Sequence, residues 1–207
     1  MKFYVLASLI VFIMIISHNL RKSRRIQDEA EHSFWEKERL ANETRRKPLD
    51  NLNYIKIPLE QLPMEQMKDD AQVADCIDTI QELSLQPIVN FTGLTNTDLK
   101  LEYGTANITT LTEYDQSYAL LVVTLQRWAG LLYQAGCVGD ARIILEFSVE
   151  TRSDVCATYD LLSDIYLQNG ETDRIAHLRE TAQTLNSLNR NIILRHLEEK
   201  LASAESD

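Results

Sequence analysis

The sequence predicts an all-α protein: an N-terminal transmembrane helix followed by a helical-hairpin domain with an extended N-terminal strap. Three observations predict it. Residues 3–20 are almost wholly apolar and run directly into Arg21, Lys22, Arg24 and Arg25. Beyond residue 69, apolar side chains recur at spacings of three and four, as a helix burying one face requires. Gly136 and Gly170, each closing such a segment, stand thirty-four residues apart.

Eighteen residues at ~1.5 Å each make a helix of roughly 27 Å, just enough to cross a ~30 Å hydrocarbon core. Leu9, Ile10, Val11, Phe12, Ile13, Met14, Ile15 and Ile16 supply the bulk that insertion rewards. The rival is a cleaved signal peptide, but Ile15, Ile16, Ser17, His18 and Asn19 offer no small-x-small cleavage site. Lys2 precedes the helix and four basic residues follow it, so the positive-inside rule puts the downstream domain in the cytoplasm. The expected organisation is an anchor over 1–20 and a charged juxtamembrane helix over 21–47. A strap, capping helix and packed loop follow over 48–111, helical hairpins with a C-terminal capping helix over 112–203, and a disordered tail over 204–207.

Charge is divided along the chain. Residues 1–47 hold ten Lys/Arg against six Asp/Glu, whereas residues 48–207 hold eleven against twenty-five. The basic part suits anionic headgroups. The acidic part argues against nucleic acid, whose phosphates need a basic face. Cys76, Cys137 and Cys156 form no CxxC and sit at apolar helical positions, so buried free thiols are expected rather than a disulfide framework or a metal site. Asn42-Glu43-Thr44, Asn90-Phe91-Thr92 and Asn107-Ile108-Thr109 match the glycosylation sequon, which means nothing on a cytoplasmic chain.

Residues 23–47 lack Pro and Gly and read as a polar helix ended by Pro48, with Glu43 and Lys47 in favourable order. Phe34 and Trp35 interrupt its polarity and are expected to pack on the domain, or else to dip into the membrane interface. Tyr54 to Pro63 alternates like a strand, but Pro58 and Pro63 make it an extended strap. Asp69 and Asp70 open a helix striped by Val73, Ile77, Ile80 and Leu83 and closed by Pro87. A short helix over 98–103 sits in a packed loop. Thr110 and Glu113 form a capping box before a strong stripe of Tyr118, Leu121, Leu125, Trp128 and Leu132. Further helices are expected over 138–150, 154–169, 172–185 and 188–203, the last covering the end of the array with Ile192, Ile193, Leu197 and Leu201.

The thirty-four-residue shift lays Leu125 on Tyr159, Trp128 on Leu162, Leu132 on Tyr166, Ala141 on Ile175 and Ser148 on Ala182. With Ala129, Gly136, Leu145 and Gly170, this pattern resembles two degenerate tetratricopeptide repeats over residues 122–189. Arg179 stands where the family has a large apolar residue, Ser163 where it has Gly or Ala, and neither copy closes on Pro. More broadly, Ser33-Phe34-Trp35-Glu36, Ala41-Asn42 with Arg45-Arg46-Lys47, Ile57-Pro58-Leu59, Asp98-Leu99-Lys100 with Tyr103-Gly104, and the first repeat resemble an uncharacterised family of single-pass membrane-anchored proteins from Gram-positive bacteria. That likeness implies an architecture and no activity.

Nothing in the chain specifies a reaction. His18, His32, His177 and His196 are scattered, and no HExxH, Cys/His cluster or Gly-rich phosphate loop occurs. Asp75 with Asp78, and Asp160 with Asp164, read as solvated faces rather than acid–base pairs. No catalytic residue, metal or cofactor is therefore assigned. The repeat resemblance implies a protein-interaction module whose first helices line a concave face for a peptide or partner helix. It points to Gln126, Arg127, Tyr133 and Gln134 in the first copy and Asp160, Asp164 and Gln168 in the second. The alternative is a structural spacer or stabilising subunit of a membrane complex.

Overall fold

The computed structural model describes residues 2–204; the side chains of residues 2–11, 13–15, 18, 19, 21 and 26 lie outside the described set. The anchor expected over 3–20 rests largely on those side chains. Among the described residues no helix is long and apolar enough to cross a membrane. The expected tail falls outside too, except Ala204, which is helical.

Among the described residues the regular elements are helices, α1 (Lys2–Glu43), α2 (Ala71–Ser84), α3 (Asn96–Tyr103), α4 (Ile108–Gln134), α5 (Val138–Glu150), α6 (Cys156–Gln168), α7 (Thr172–Gln183) and α8 (Arg190–Ala204), joined by a 3-10 turn, an extended strap and loops. It divides into two compact units. One holds α1 through residue 47 together with 95–108, and the other holds 48–94 with the chain from 109 onward.

In the first unit α1 stops at Glu43, four residues short of the expected end at Lys47. The cause is tertiary. Lys47 donates its amide to the Tyr103 carbonyl at 3.0 Å, and Arg46 reaches the Asn107 side chain at 2.9 Å. Those bonds draw the backbone out of the helix. Glu43 accordingly pairs with Arg39 at 2.8 Å rather than with Lys47. Gly104 is required at the turn after α3: its φ is +89°, and a Cβ there would lie 2.4 Å from the Arg45 carbonyl oxygen. A 3-10 turn over Thr105–Asn107 then runs straight into α4. Thr110 therefore falls inside the helix, and the expected capping box with Glu113 does not form. The box in this unit belongs to Thr95 and Asp98, at the start of α3. Asn107 is fully buried, and its amide donates to the Lys47 and Tyr103 carbonyls, so this sequon is a structural lock.

Polar contacts fasten α3 to α1. Lys37 meets Asp98 at 2.7 Å, while Glu38 accepts from Thr97 at 2.7 Å and from Lys100. Phe34 and Trp35 instead stand 52% and 61% exposed, contrary to the expected packing, with their rings edge to face 5.5 Å apart. The Lys37 ammonium holds the Asp98 carboxyl below its ordinary range, helped by Thr95. Lys100 and Thr97 do the same for Glu38. Both groups stabilise the folded form above their unfolded pKa of about 4, and that contribution is lost as pH falls below it. Methyl NMR of Leu99 should therefore stay constant from pH 7 down to about 4 and change only below. A transition centred near pH 6 would contradict this assignment.

The second unit starts with the strap. It is extended only around Tyr54 to Ile57, where Tyr54 bridges Val89 and Ile55 donates to the Ile88 carbonyl at 2.9 Å. From Pro58 it coils in successive turns until Asp70 caps α2, accepting from the amides of Gln72 and Val73. The expected α2 stripe is buried, joined by Cys76. In the loop before α3, Asn90 accepts the Thr92 amide at 2.8 Å in an Asx turn. Its own amide reaches the Tyr118 hydroxyl and the carbonyls of Thr151 and Arg152, capping the end of α5.

From α4 onward the period governs. Gly136 donates to Tyr133 and Cys137 to Leu132, at 3.0 and 2.9 Å. Thirty-four residues later Gly170 donates to Leu167 and Glu171 to Tyr166, at 3.0 and 2.9 Å. Both glycines have positive φ, +84° and +71°, so the two turns are one helix-ending motif repeated. Superposed residues are buried in pairs: Leu125 with Tyr159, Trp128 with Leu162, Ala129 with Ser163, Ala141 with Ile175, and Ser148 with Ala182. The departures are accommodated. The Ser163 hydroxyl turns back to the Tyr159 carbonyl at 2.6 Å, and Arg179 is half-buried, its Nε without a hydrogen-bond partner among the described residues. Arg190 opens α8 thirty-four residues after Cys156 opens α6, so the expected cap is also in phase with the first helices.

Trp128 is fully buried, and its Nε1 has no partner among the described residues. Trp128→Ala should cost ~3–5 kcal/mol in urea unfolding of the full chain. Trp128→Phe should cost about 1–2 kcal/mol, because part of the lost packing is offset by removing an orphaned donor. Equal losses would show that the indole nitrogen is satisfied.

A candidate partner-binding face on the helix stack

Each helix of the stack shows one face to the core and another outward, and the predicted binding residues lie near the boundary. Six of the seven are engaged within the chain. Gln126 of α4 accepts from Thr158 of α6 at 2.7 Å. Tyr133 of α4 accepts from Gln168 of α6 at 3.0 Å. Asp160 meets His196 of α8 at 3.0 Å, and Lys200 of α8 donates to the Asp160 carbonyl at 2.7 Å and to Asp164 at 2.5 Å. Arg127 pairs with Asp75 of α2 at 2.7 Å. Only Gln134 is exposed with no such tie.

These bonds define the stacking order. The Arg127–Asp75 pair and the Ser117–Gln86 hydrogen bond (3.3 Å) set α2 antiparallel to α4. The ties from Gln126 and Tyr133 set α6 along the other side of α4, and α8 follows on α6. Between α2 and α6 the outward side of α4 carries Gln116, Leu120, Val123, Arg127, Gly130 and Gln134, spaced alternately by four and three residues. Leu120 is 50% and Val123 61% exposed. Gly130 is helical, and a Cβ built on it meets nothing within 4 Å. A mid-helix glycine costs about 1 kcal/mol against alanine, and no neighbouring atom among the described residues stands where a Cβ would be at this one.

Of this stripe, sequence reasoning had singled out Arg127 and Gln134 but not Leu120, Val123 or Gly130. The signal was present: α4 is apolar on more of its circumference than one buried stripe needs. The other features of this unit are structural. Arg142 forks onto Glu171 at 2.6 and 3.1 Å, reaches Glu146 at 2.9 Å and lies over the Tyr166 ring. Its guanidinium holds the Glu171 carboxyl low, while burial and Glu146 push the Tyr166 hydroxyl up to about 12. Burial raises the thiols of Cys76 and Cys156, which stay protonated and poor nucleophiles near neutrality. Cys137 and Cys156 are half-buried rather than buried as expected. A polar cleft of about 460 Å³ lies between the strap and two helix turns, but Asn90, which lines it, has its amide committed to capping α5. Among the described residues no cluster of His, Cys, Asp and Glu could hold a metal ion.

The two arginines should differ in weight. The Arg127–Asp75 pair is largely open to water, so Arg127→Ala should lower stability by less than ~1 kcal/mol. Arg142→Ala leaves Glu146 and Glu171 to Arg174 alone and strips one guanidinium from the buried Tyr166 ring, so it should cost about 1–2 kcal/mol. Thermal melts of the two variants check the order, and a larger loss at Arg127 would reverse it. No family model matches this chain, and neither the curated proteins nor the solved structures contain a match to it.

Proposed function

We propose that the protein is a membrane-anchored interaction module. A transmembrane helix over residues 3–20 holds a tetratricopeptide-like helix stack on the cytoplasmic side, and the outward stripe of α4 receives a partner protein's helix or peptide. The observation that carries this reading is the line of Leu120, Val123 and Gly130. Two large apolar side chains stand half or more exposed beside a glycine with open space where a Cβ would be. Isolated exposed apolar residues are ordinary, but aligned ones next to an open approach are what a docking helix uses.

The anchor rests on the sequence of residues 3–20 and on the basic cluster after it. A continuous α1 has a further consequence. Fourteen residues of helix separate Leu20 from Phe34, a rise of roughly 21 Å, whereas the headgroup layer is about 5–8 Å deep. With residues 3–20 in the bilayer, Phe34 and Trp35 stand clear of lipid.

A second reading is favoured by the polar ties from Gln126, Tyr133, Asp160 and Asp164. They use the face expected to bind, as suits a spacer or stabilising subunit of a membrane complex. A photo-crosslinking residue at position 123, in membranes of the native cell, separates the two. The interaction module predicts a discrete adduct from position 123 and none from exposed Asp173 on α7. No adduct, or the same adducts from both positions, would leave the spacer. Carbonate washing should retain the full-length chain in the membrane pellet, and release of a shortened chain would remove the anchor.

A further inference from the structure

We infer that the segment received by α4 is a basic amphipathic helix, a conclusion that rests on the docking reading above and specifies its partner. Charge comes first. The helix that forms the stripe and the one beside it, α4 and α2, together carry Asp75, Asp78, Glu82, Glu113 and Asp115 against one cation, Arg127. That cation is already taken by Asp75. Glu82 and Glu113 are exposed, have no ion-pair partner among the described residues, and line the same shallow cleft of about 280 Å³ as Leu83 and Leu120. The cleft therefore offers apolar contact and two uncompensated carboxylates within one site. A complementary ligand brings apolar side chains flanked by Lys or Arg. Anionic lipid and nucleic acid are repelled by the same charges.

Shape comes second. An extended peptide needs main-chain hydrogen-bond partners, and helix α4 has no free backbone edge to supply them. Along its outward stripe only Gln116, Arg127 and Gln134 carry polar side chains. A helix satisfies its own backbone and asks only for side-chain packing. The gap at Gly130 lets such a helix approach closely, ten residues and about 15 Å along the axis from Leu120. The ligand is then a helix of roughly three turns, with apolar residues at three- and four-residue spacing and basic residues on the side facing α2.

The test uses the full-length chain in zwitterionic lipid nanodiscs, with empty discs as baseline. The probes are two labelled eighteen-residue amphipathic helices, one of Leu and Lys and the other of Leu and Glu, read by fluorescence anisotropy. The Lys peptide should bind and the Glu peptide should not. The double change Glu82→Gln and Glu113→Gln should weaken binding about tenfold, as two exposed charge pairs would. Gly130→Leu should abolish binding while leaving the melt unchanged or raised, since the substitution favours the helix. Two outcomes overturn the proposal in distinguishable ways. If both peptides bind equally, insensitive to the Glu82 and Glu113 changes but abolished by Val123→Asp, the partner is not basic although the α4 face still docks it. If the Lys peptide fails to bind, or binds undiminished by Val123→Asp, the docking face falls as well.

Discussion

Everything in the second unit follows from one constraint: a short helical hairpin has two apolar faces and can bury only one against itself. The other must be covered by a neighbour. In this chain the neighbours come at a fixed interval, because the turns at Gly136 and Gly170 end their helices with the same pair of backbone bonds. Leu125 and Tyr159, or Trp128 and Leu162, then occupy equivalent places in one continuous core. With α8 starting in the same phase, its Ile193 and Leu197 fall thirty-four residues after Tyr159 and Ser163, and all four are buried. At the opposite end α2 closes the core beside α4, with the strap laid against it through Ile55, Ile57 and Leu59.

Apolar stripes are tolerant of sliding, so register needs something directional. The polar ties supply it. Gln126 to Thr158 and Tyr133 to Gln168 fix α4 on α6; Asp160 to His196 and Asp164 to Lys200 fix α6 on α8. Each is individually modest, although Thr158 is fully buried, and each is satisfied at one offset only. These side chains, predicted to bind a partner, are engaged with neighbouring helices instead of standing free. The outward side of α4 carries the exposed Leu120 and Val123, beside Glu82 of α2, which has no ion-pair partner among the described residues.

Much of this was legible in the sequence, and for a physical reason. Buried stripes repeat with the helix, so Val73 to Leu83 and Leu121 to Leu132 announce themselves, and paired glycines announce the period. What was not legible depended on distant partners. Nothing near Glu43 says that α1 ends there; the cause is Asn107 and Tyr103, about sixty residues on. Thr110 and Glu113 have the spacing of a capping box, but the left-handed Gly104 starts the helix earlier. Thr95 and Asp98 have the same spacing and form the box. The phase of α8 was hidden because His196 and Lys200 stand where Leu162 and Tyr166 stand in the previous helix. At the candidate site, residue positions could be placed on a helix face, but a single sequence does not say that Asp160 meets His196. It therefore could not separate the acids already paired, Asp160 and Asp164, from those left open, Glu82 and Glu113.

The central claim, that the outward side of α4 is the surface kept for a partner, is tested most directly by methyl NMR of the nanodisc-embedded chain with a nitroxide-labelled basic amphipathic helix. Four exposed apolar residues serve as reporters: Leu120 and Val123 on α4, Ile143 on α5 and Ile192 on α8. The account predicts strong signal loss at Leu120 and Val123, with Ile143 and Ile192 unaffected. Loss at Ile143 or Ile192 instead, or equal loss at all four, would contradict it.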